Sequence, residues 1–275
     1  METPVFVISL PGSPRRKRIA RSLSDLGVPF YFVDAIEGHA MTEIALHAVY
    51  DEARTLKHIG RSLGRGEVGC ALSHRQVYRT MVDGGLACAI VLEDDAILGE
   101  AFVSFRRNTD RLAENVELVS LNALFGFVRR RPSFEFLNHG LHRANSKVSG
   151  TVGYFIRLSA ARKFLGHGDR IDALADWPLS YRAIRHYILA PMIVGHGDSD
   201  SSLTKERTHL RRHVPKSRMK RMIRAIFYLS FLGYVIRPRR YDGLTNYYDR
   251  EVASRLLKRL GFWFLDVRRV PLVSS

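Results

Sequence analysis

Residues 5–10, VFVISL, form an unbroken apolar run of strand length, the pattern of a strand buried on both faces. Pro11-Gly12-Ser13-Pro14 then turns the chain, with Ser13 placed as N-cap and Pro14 as first helical residue. Ile19, Leu23 and Leu26 recur on one helical face until Gly27 stops the helix. Phe30-Tyr31-Phe32-Val33 reads as a second strand, ending in Asp34. Strand, helix and strand in this order predict a parallel sheet covered by helices, with ligands at the carboxyl ends of its strands.

Over residues 67–82, Val68, Ala71, Leu72, Tyr78, Met81 and Val82 keep helical spacing, and Gly84-Gly85 closes the run. The stretch 87–92, ACAIVL, is a continuous apolar strand that runs into Glu93-Asp94-Asp95. A helix over 100–112 and a strand over 116–121 follow. Residues 125–147, opening with Arg129-Arg130-Arg131-Pro132, read as irregular. Residues 148–157 then suit a strand passing through Gly150 and Gly153, and Ser159 is placed to cap a short helix ending at Leu165. The chain has no internal repeat and no low-complexity segment.

At 275 residues and 46% hydrophobic, the chain can bury one sizeable core. Two cysteines, Cys70 and Cys88, exclude a disulfide framework and a cysteine-built zinc site, and fit a reducing compartment. No apolar run of about 18 residues or more marks a spanning helix, and the first residues do not read as a signal peptide. The net charge of +16 is unevenly placed. Residues 1–200 hold 25 Lys and Arg against 22 Asp and Glu, or +3, while residues 201–275 hold 18 against 5, or +13. A near-neutral body, residues 1–204, is thus followed by a basic segment, 205–275. Within that tail, residues 226–236 form an apolar block flanked by arginines, too short to span a bilayer and suited to lie among anionic headgroups.

Several clusters carry candidate chemistry. Along an extended segment, Glu93 and Asp95 point the same way and could share one hard cation, Mn²⁺ or Mg²⁺, with Asp94 between them. A cation there could neutralise a departing diphosphate. A plain solvated turn is the competing reading. The start of the first helix, with Arg15, Arg16 and Arg18, reads as an anion site, a solvated helix face being the alternative; the glycine fingerprints of dinucleotide and P-loop sites are absent. Ser9 and Leu10 end the strand before it, and Asp34 is placed to accept hydrogen bonds from a ribose or base. Ser73 and His74 are adjacent on a helix and so do not face each other; they read as cleft-lining residues, the alternative for His74 being a hydrogen-bonded packing residue. Asp176, beside Trp177, could deprotonate a sugar hydroxyl while the indole packs on the sugar ring; helix capping is the alternative. His196, in a glycine-containing loop with Asp198 and Asp200, could complete a metal shell; a plain surface histidine is the alternative.

In order along the chain, VFVISLPGSPRRKRI, LGVPFYFVDAIEG, GEVGCALSHRQVYR, ACAIVLEDDAIL, SGTVGYFIRLSAARKFL and ADWPL resemble glycosyltransferase family 25 over about residues 4–205. The paired GCALSH and LEDD segments carry the resemblance most specifically. It implies an α/β fold of the GT-A type, with a mixed, mostly parallel sheet flanked by helices and here a basic helical tail. It further implies a UDP-sugar donor, usually UDP-galactose, and inversion at the anomeric carbon. Glu93-Asp94-Asp95 matches the family's acidic motif, as E-D-D in place of D-x-D. The first β-α unit with Asp34 matches the nucleotide pocket, and Asp176 an acidic position suited to a base.

The expected partners are therefore a UDP-sugar, a saccharide or lipid-linked saccharide acceptor, and an anionic membrane surface. Nucleic acid is not expected. The expected location is peripheral, on the cytoplasmic face of the inner membrane, where a lipooligosaccharide acceptor would sit. A non-catalytic membrane- or nucleic-acid-binding protein that uses the basic tail is the alternative.

Overall fold

The computed structural model describes residues 2–197 except 125, 129–130, 146 and 179–182, together with the backbone of residues 234–236. Strand β1 (Val5–Ser9) is buried throughout and leads into α1 (Pro14–Asp25). The Ser13 side chain caps α1, accepting from the Arg15 amide, and Gly27 adopts φ +64° just past its end. Next come β2 (Tyr31–Asp34), the short helices α2 (Glu43–Val49) and α3 (Glu52–Ile59), and the long helix α4 (Arg65–Asp83). Strand β3 (Cys88–Glu93), a two-residue β4 (Ala96–Ile97), α5 (Glu100–Arg107), β5 (Leu118–Ser120), β6 (Gly126–Val128), β7 (Phe134–Phe136) and β8 (His139–Arg143) follow. The described chain closes with β9 (Gly153–Arg157), α6 (Leu158–Leu165), β10 (His186–Ala190), β11 (Gly195–His196) and, in the tail, β12 (Tyr234–Ile236).

One eight-stranded sheet has the order β2-β1-β3-β9-β5-β10-β8-β7. The pairs β1–β2, β1–β3 and β5–β10 are parallel, whereas β9 and β8 run against all the other strands. Alternate residues of β1 and β3 enter opposite cores. Phe6, Ile8, Ala89 and Val91 pack with Val77, Tyr78 and Met81 of α4 and Ala160 and Phe164 of α6. Val5, Val7, Ile90 and Leu92 pack with Ile19 and Leu23 of α1 and Phe102 and Phe105 of α5. Both faces are covered, which is why these strands read as continuous apolar runs. A smaller cluster of Tyr50, Leu63, Val68, Ala71 and Ile171 joins the α2–α3 region to α4.

Register places the strand ends level. Ser9 pairs with Asp34 and Ile8 with Glu93, so three chain segments leave the sheet at one edge. β9 approaches that edge from the other direction, and Thr151 and Val152 enter it before the strand begins.

The segment expected to be irregular, 125–147, instead holds β6 and the hairpin β7–β8. The turn is made by Leu137 and Asn138, both with positive φ (48° and 62°). Neither position is a glycine, so the usual hairpin signal is missing from the sequence. Ser159 does not cap α6: Arg157 holds that position, and the Ser159 hydroxyl bonds Glu117. The basic segment 205–275 lies outside the described residues apart from β12, which pairs antiparallel with β6; that piece of the expected helical tail is a strand. Among the described residues no helix is long and apolar enough to cross a membrane.

Candidate active site

The three acids at the end of β3 separate because β3 stops at Glu93 and a turn begins at Asp94. Alternation holds only while the chain is extended, so the expectation that Glu93 and Asp95 point together fails at this turn. Each carboxylate finds its own partners.

Asp94 is buried and turns toward the first β-α unit. It accepts hydrogen bonds from Ser9 Oγ (2.8 Å) and Ser13 Oγ (3.2 Å), and Arg15 Nε lies 3.3 Å from its other oxygen. Ser9 itself is buried, so its hydroxyl positions Asp94. The Leu10 carbonyl accepts from the Ser13 amide and shapes the turn into α1.

Asp95 is also buried. Its Oδ2 faces His196 Nε2 at 3.2 Å and Arg15 Nη1 at 3.8 Å, while its Oδ1 is buried without a hydrogen-bond partner. The short antiparallel pair β4–β11 sets His196 opposite Ala96, and the Gly197 amide donates to the Asp95 carbonyl. The structure therefore brings together two residues 101 positions apart that the sequence reading grouped. An orphaned carboxylate oxygen in a buried setting costs about 1–3 kcal/mol, so this oxygen is available to a ligand that enters the site. The donor set of carboxylate and imidazole fits Mn²⁺ or Mg²⁺ better for its oxygen than for its nitrogen. Asp198 and Asp200 lie outside the described residues.

Glu93 faces the other way, onto α4 and the entry to β9. His74 Nε2 lies 3.3 Å from Glu93 Oε1, which also accepts from Thr151 Oγ1. Burial works to raise the Glu93 pKa, but the hydrogen bond and charge of His74, then Thr151 and His196, hold it below the usual carboxylate range. Behind His74, Nδ1 meets Tyr154 OH at 2.8 Å, and Tyr154 OH meets Tyr78 OH at 3.2 Å. Burial raises the pKa of both phenols, which stay neutral. Cys70, His74 and Glu93 are, among the described residues, a group whose possible ligand atoms all lie within 4.8 Å of one another.

Ser73 points away from its neighbour, as adjacent helix residues must. It donates to the Gly69 carbonyl (2.7 Å) and accepts from the Ile36 amide (2.8 Å), tying the loop after β2 to α4. Asp34, largely exposed, is met by Arg16 Nη1 at 2.5 Å, and the Arg16 guanidinium sits 4.0 Å from the centre of the Phe32 ring. The 100° step of the helix sends Arg15 toward β3 and Arg16 toward β2. The sequence reading placed Arg15, Arg16 and Arg18 together and gave no partner to Arg16. Arg18 is exposed, with its guanidinium beside Gly197.

Asp176 accepts from the Gly150 amide (3.0 Å), holding the loop before β9. Trp177 contradicts the sequence reading. It is 3% exposed, edge-on to Tyr154 and His186 and stacked on Phe164, so its indole is core and not a sugar platform. Thr151 and Tyr154 were not singled out in sequence, and Tyr78 was read only as part of the apolar face of its helix. Thr151 and Tyr154 meet Glu93 and His74 through the pairing of β3 with β9, whereas Tyr78, one turn beyond His74 on α4, reaches Tyr154.

A family model described as "Glycosyltransferase family 25 (LPS biosynthesis protein)" matches residues 2–177. "Inactive glycosyltransferase 25 family member 3" of Homo sapiens is 34% identical over 176 residues, covering 58% of this chain and 28% of that protein. "Procollagen galactosyltransferase 1" of Danio rerio is 33% identical over 176 residues, with the same shares, 58% and 28%. "Lacto-N-neotetraose biosynthesis glycosyltransferase LgtE" of Neisseria gonorrhoeae is 30% identical over 167 residues, 58% of each chain. The match thus spans less than a third of the two animal relatives' length and more than half of the bacterial one.

Proposed function

The chain belongs to glycosyltransferase family 25, and from that premise we propose that it moves a hexose, galactose first among the candidates, from a UDP-sugar to a hydroxyl of a cell-surface saccharide. The named activities of two relatives, a procollagen galactosyltransferase and a lacto-N-neotetraose biosynthesis glycosyltransferase, support this reading. The observation that carries it is Asp95, buried at the strand-end edge with one oxygen unpartnered beside His196 and Arg15.

In this reading Asp95 and His196 would hold Mn²⁺ or Mg²⁺, which when bound offsets negative charge on the diphosphate of the donor. The remaining work falls to the chain's own groups. Asp94, fixed by Ser9 and Ser13, aims Arg15 at the strand-end edge, and the N-terminus of α1 adds its amides to the same anion site. Arg18 adds charge at the rim. Asp34 accepts from the ribose or base once Arg16 yields to it. Ionised Glu93 borders the cleft opposite Asp95. Asp176 takes the proton from the acceptor hydroxyl, whose oxygen displaces UDP from the opposite face with inversion. The acceptor is a lipooligosaccharide or other lipid-linked saccharide, and the basic tail holds the enzyme on the anionic cytoplasmic leaflet, with no role for nucleic acid.

The test is UDP release from a panel of UDP-sugars with and without Mn²⁺, repeated on Asp95→Asn. Metal-dependent release lost in the variant supports the reading. A second reading, a non-catalytic family member, draws on the names of the inactive relatives and on Arg15 already neutralising the acid pair. Absence of UDP release and of UDP binding with every metal and donor would select it.

A further inference from the structure

Cys70 and His74 are four residues apart on α4 and so project from one helical face, toward the end of β3 where Glu93 stands. One thiol, one imidazole and one carboxylate thus converge, their ligand atoms mutually within 4.8 Å; two cysteines are too few for a zinc site made of cysteines, but here a single one joins two other ligand types. We propose that Cys70, His74 and Glu93 form a binding site for a thiophilic divalent cation of the zinc class, its fourth position open to water or to an oxygen of a bound substrate.

Three observations carry this. The 3.3 Å between His74 Nε2 and Glu93 Oε1 equals the separation of two ligands on a tetrahedral ion with bonds of about 2.0 Å, roughly 3.3 Å. The second ring nitrogen of His74 is engaged by Tyr154 OH, itself bonded to Tyr78, which is the outer-shell support that fixes a metal-binding imidazole. Charge also balances, because thiolate and carboxylate together neutralise a divalent ion in a site where His74 is 1% exposed. Binding exchanges protons for metal: the thiol proton leaves to solvent, together with any proton held between His74 and Glu93. The thiolate separates this site from the one at Asp95, whose ligands suit a harder ion. Its occupancy pins α4 to β3 and does not depend on sugar transfer.

The probe is Co²⁺, then Zn²⁺ in competition, titrated into the full chain without any donor. One equivalent of Co²⁺ is expected to give a thiolate-to-cobalt charge-transfer band that Zn²⁺ abolishes and equimolar Mn²⁺ does not. Cys70→Ser should lose the band and weaken Zn²⁺ binding at least tenfold, while Cys88→Ser keeps both. In unmodified protein, saturating Zn²⁺ should protect Cys70 from iodoacetamide, read by mass spectrometry of the two cysteine peptides. No band in the wild type, a band that survives Cys70→Ser or is lost in Cys88→Ser, or an unprotected Cys70 thiol each overturns the proposal. None of these readouts uses UDP, so failure here and failure of the transferase reading are told apart.

Discussion

Ser9 and Asp94 share a buried hydrogen bond of 2.8 Å that joins the end of β1 to the turn after β3, two neighbouring strands separated by 85 residues in sequence. The middle acid of the triplet is therefore a joint between strand ends, and the acids on either side of it are left to different tasks.

Asp94→Ala removes the acceptor of Ser9 and Ser13 and the counter-ion of Arg15 at once. Leaving a buried donor unmatched costs about 1–3 kcal/mol. The variant is expected to lose at least that much stability in urea denaturation, whereas Asp94→Asn, which keeps the shape and an acceptor, loses less.

Asp95→Asn is expected to behave differently. The fold should persist, with a melting temperature close to the wild type, while metal-dependent UDP release falls on the order of a hundredfold or more, the range for losing one charge stabiliser in a transition state. Equal turnover in both proteins would remove Asp95 from the mechanism.

His186 is buried against Ser120 and Trp177, and burial, then the charge of Arg143, lowers its pKa from 6.5 to about 3. The unfolded chain thus binds a proton that the folded chain refuses. Its contribution to stability is intact above pH 6.5 and declines as pH falls toward 3, at up to about 1.4 kcal/mol per pH unit. Urea midpoints measured from pH 4 to 8 should show this slope in the wild type and a shallower one in His186→Gln.

Gly69 lies where the loop after β2 crosses α4. A Cβ at this position would strike the Ile36 carbonyl and come within 2.7 Å of the Gly38 amide, both of them backbone. Gly69→Ala is expected to cost about 1–3 kcal/mol by overpacking and to weaken UDP binding, because the displaced loop carries Asp34 at its start. Calorimetric titration with UDP reads the second effect.

The β1-α1-β2 unit was legible because its punctuation is local: Ser13 and Pro14 begin the helix, and Gly27 ends it within a few residues. The acidic triplet was legible as a strand end for the same reason. Where each acid points was not, since that depends on a turn starting one residue after Glu93 and on partners 58 to 101 residues away, Thr151 and His196. Trp177 misled because an aromatic beside an acid looks alike in sequence whether it faces a sugar or fills a core. The His74–Tyr154 contact spans 80 residues and exists only because β9 lies beside β3.

The backward course of β9 also governs how the chain assembles. β3 and β5 are both made before it, and neither touches the other; each waits for a partner that leaves the ribosome only when residue 157 does. Until then β3 carries an unsatisfied edge and β5 has no partner at all, since β10 is made later still, and joining the two halves is a late, long-range event. Chaperone dependence and insolubility of truncations ending before that point are the natural outcome of making the middle strand after both of its neighbours.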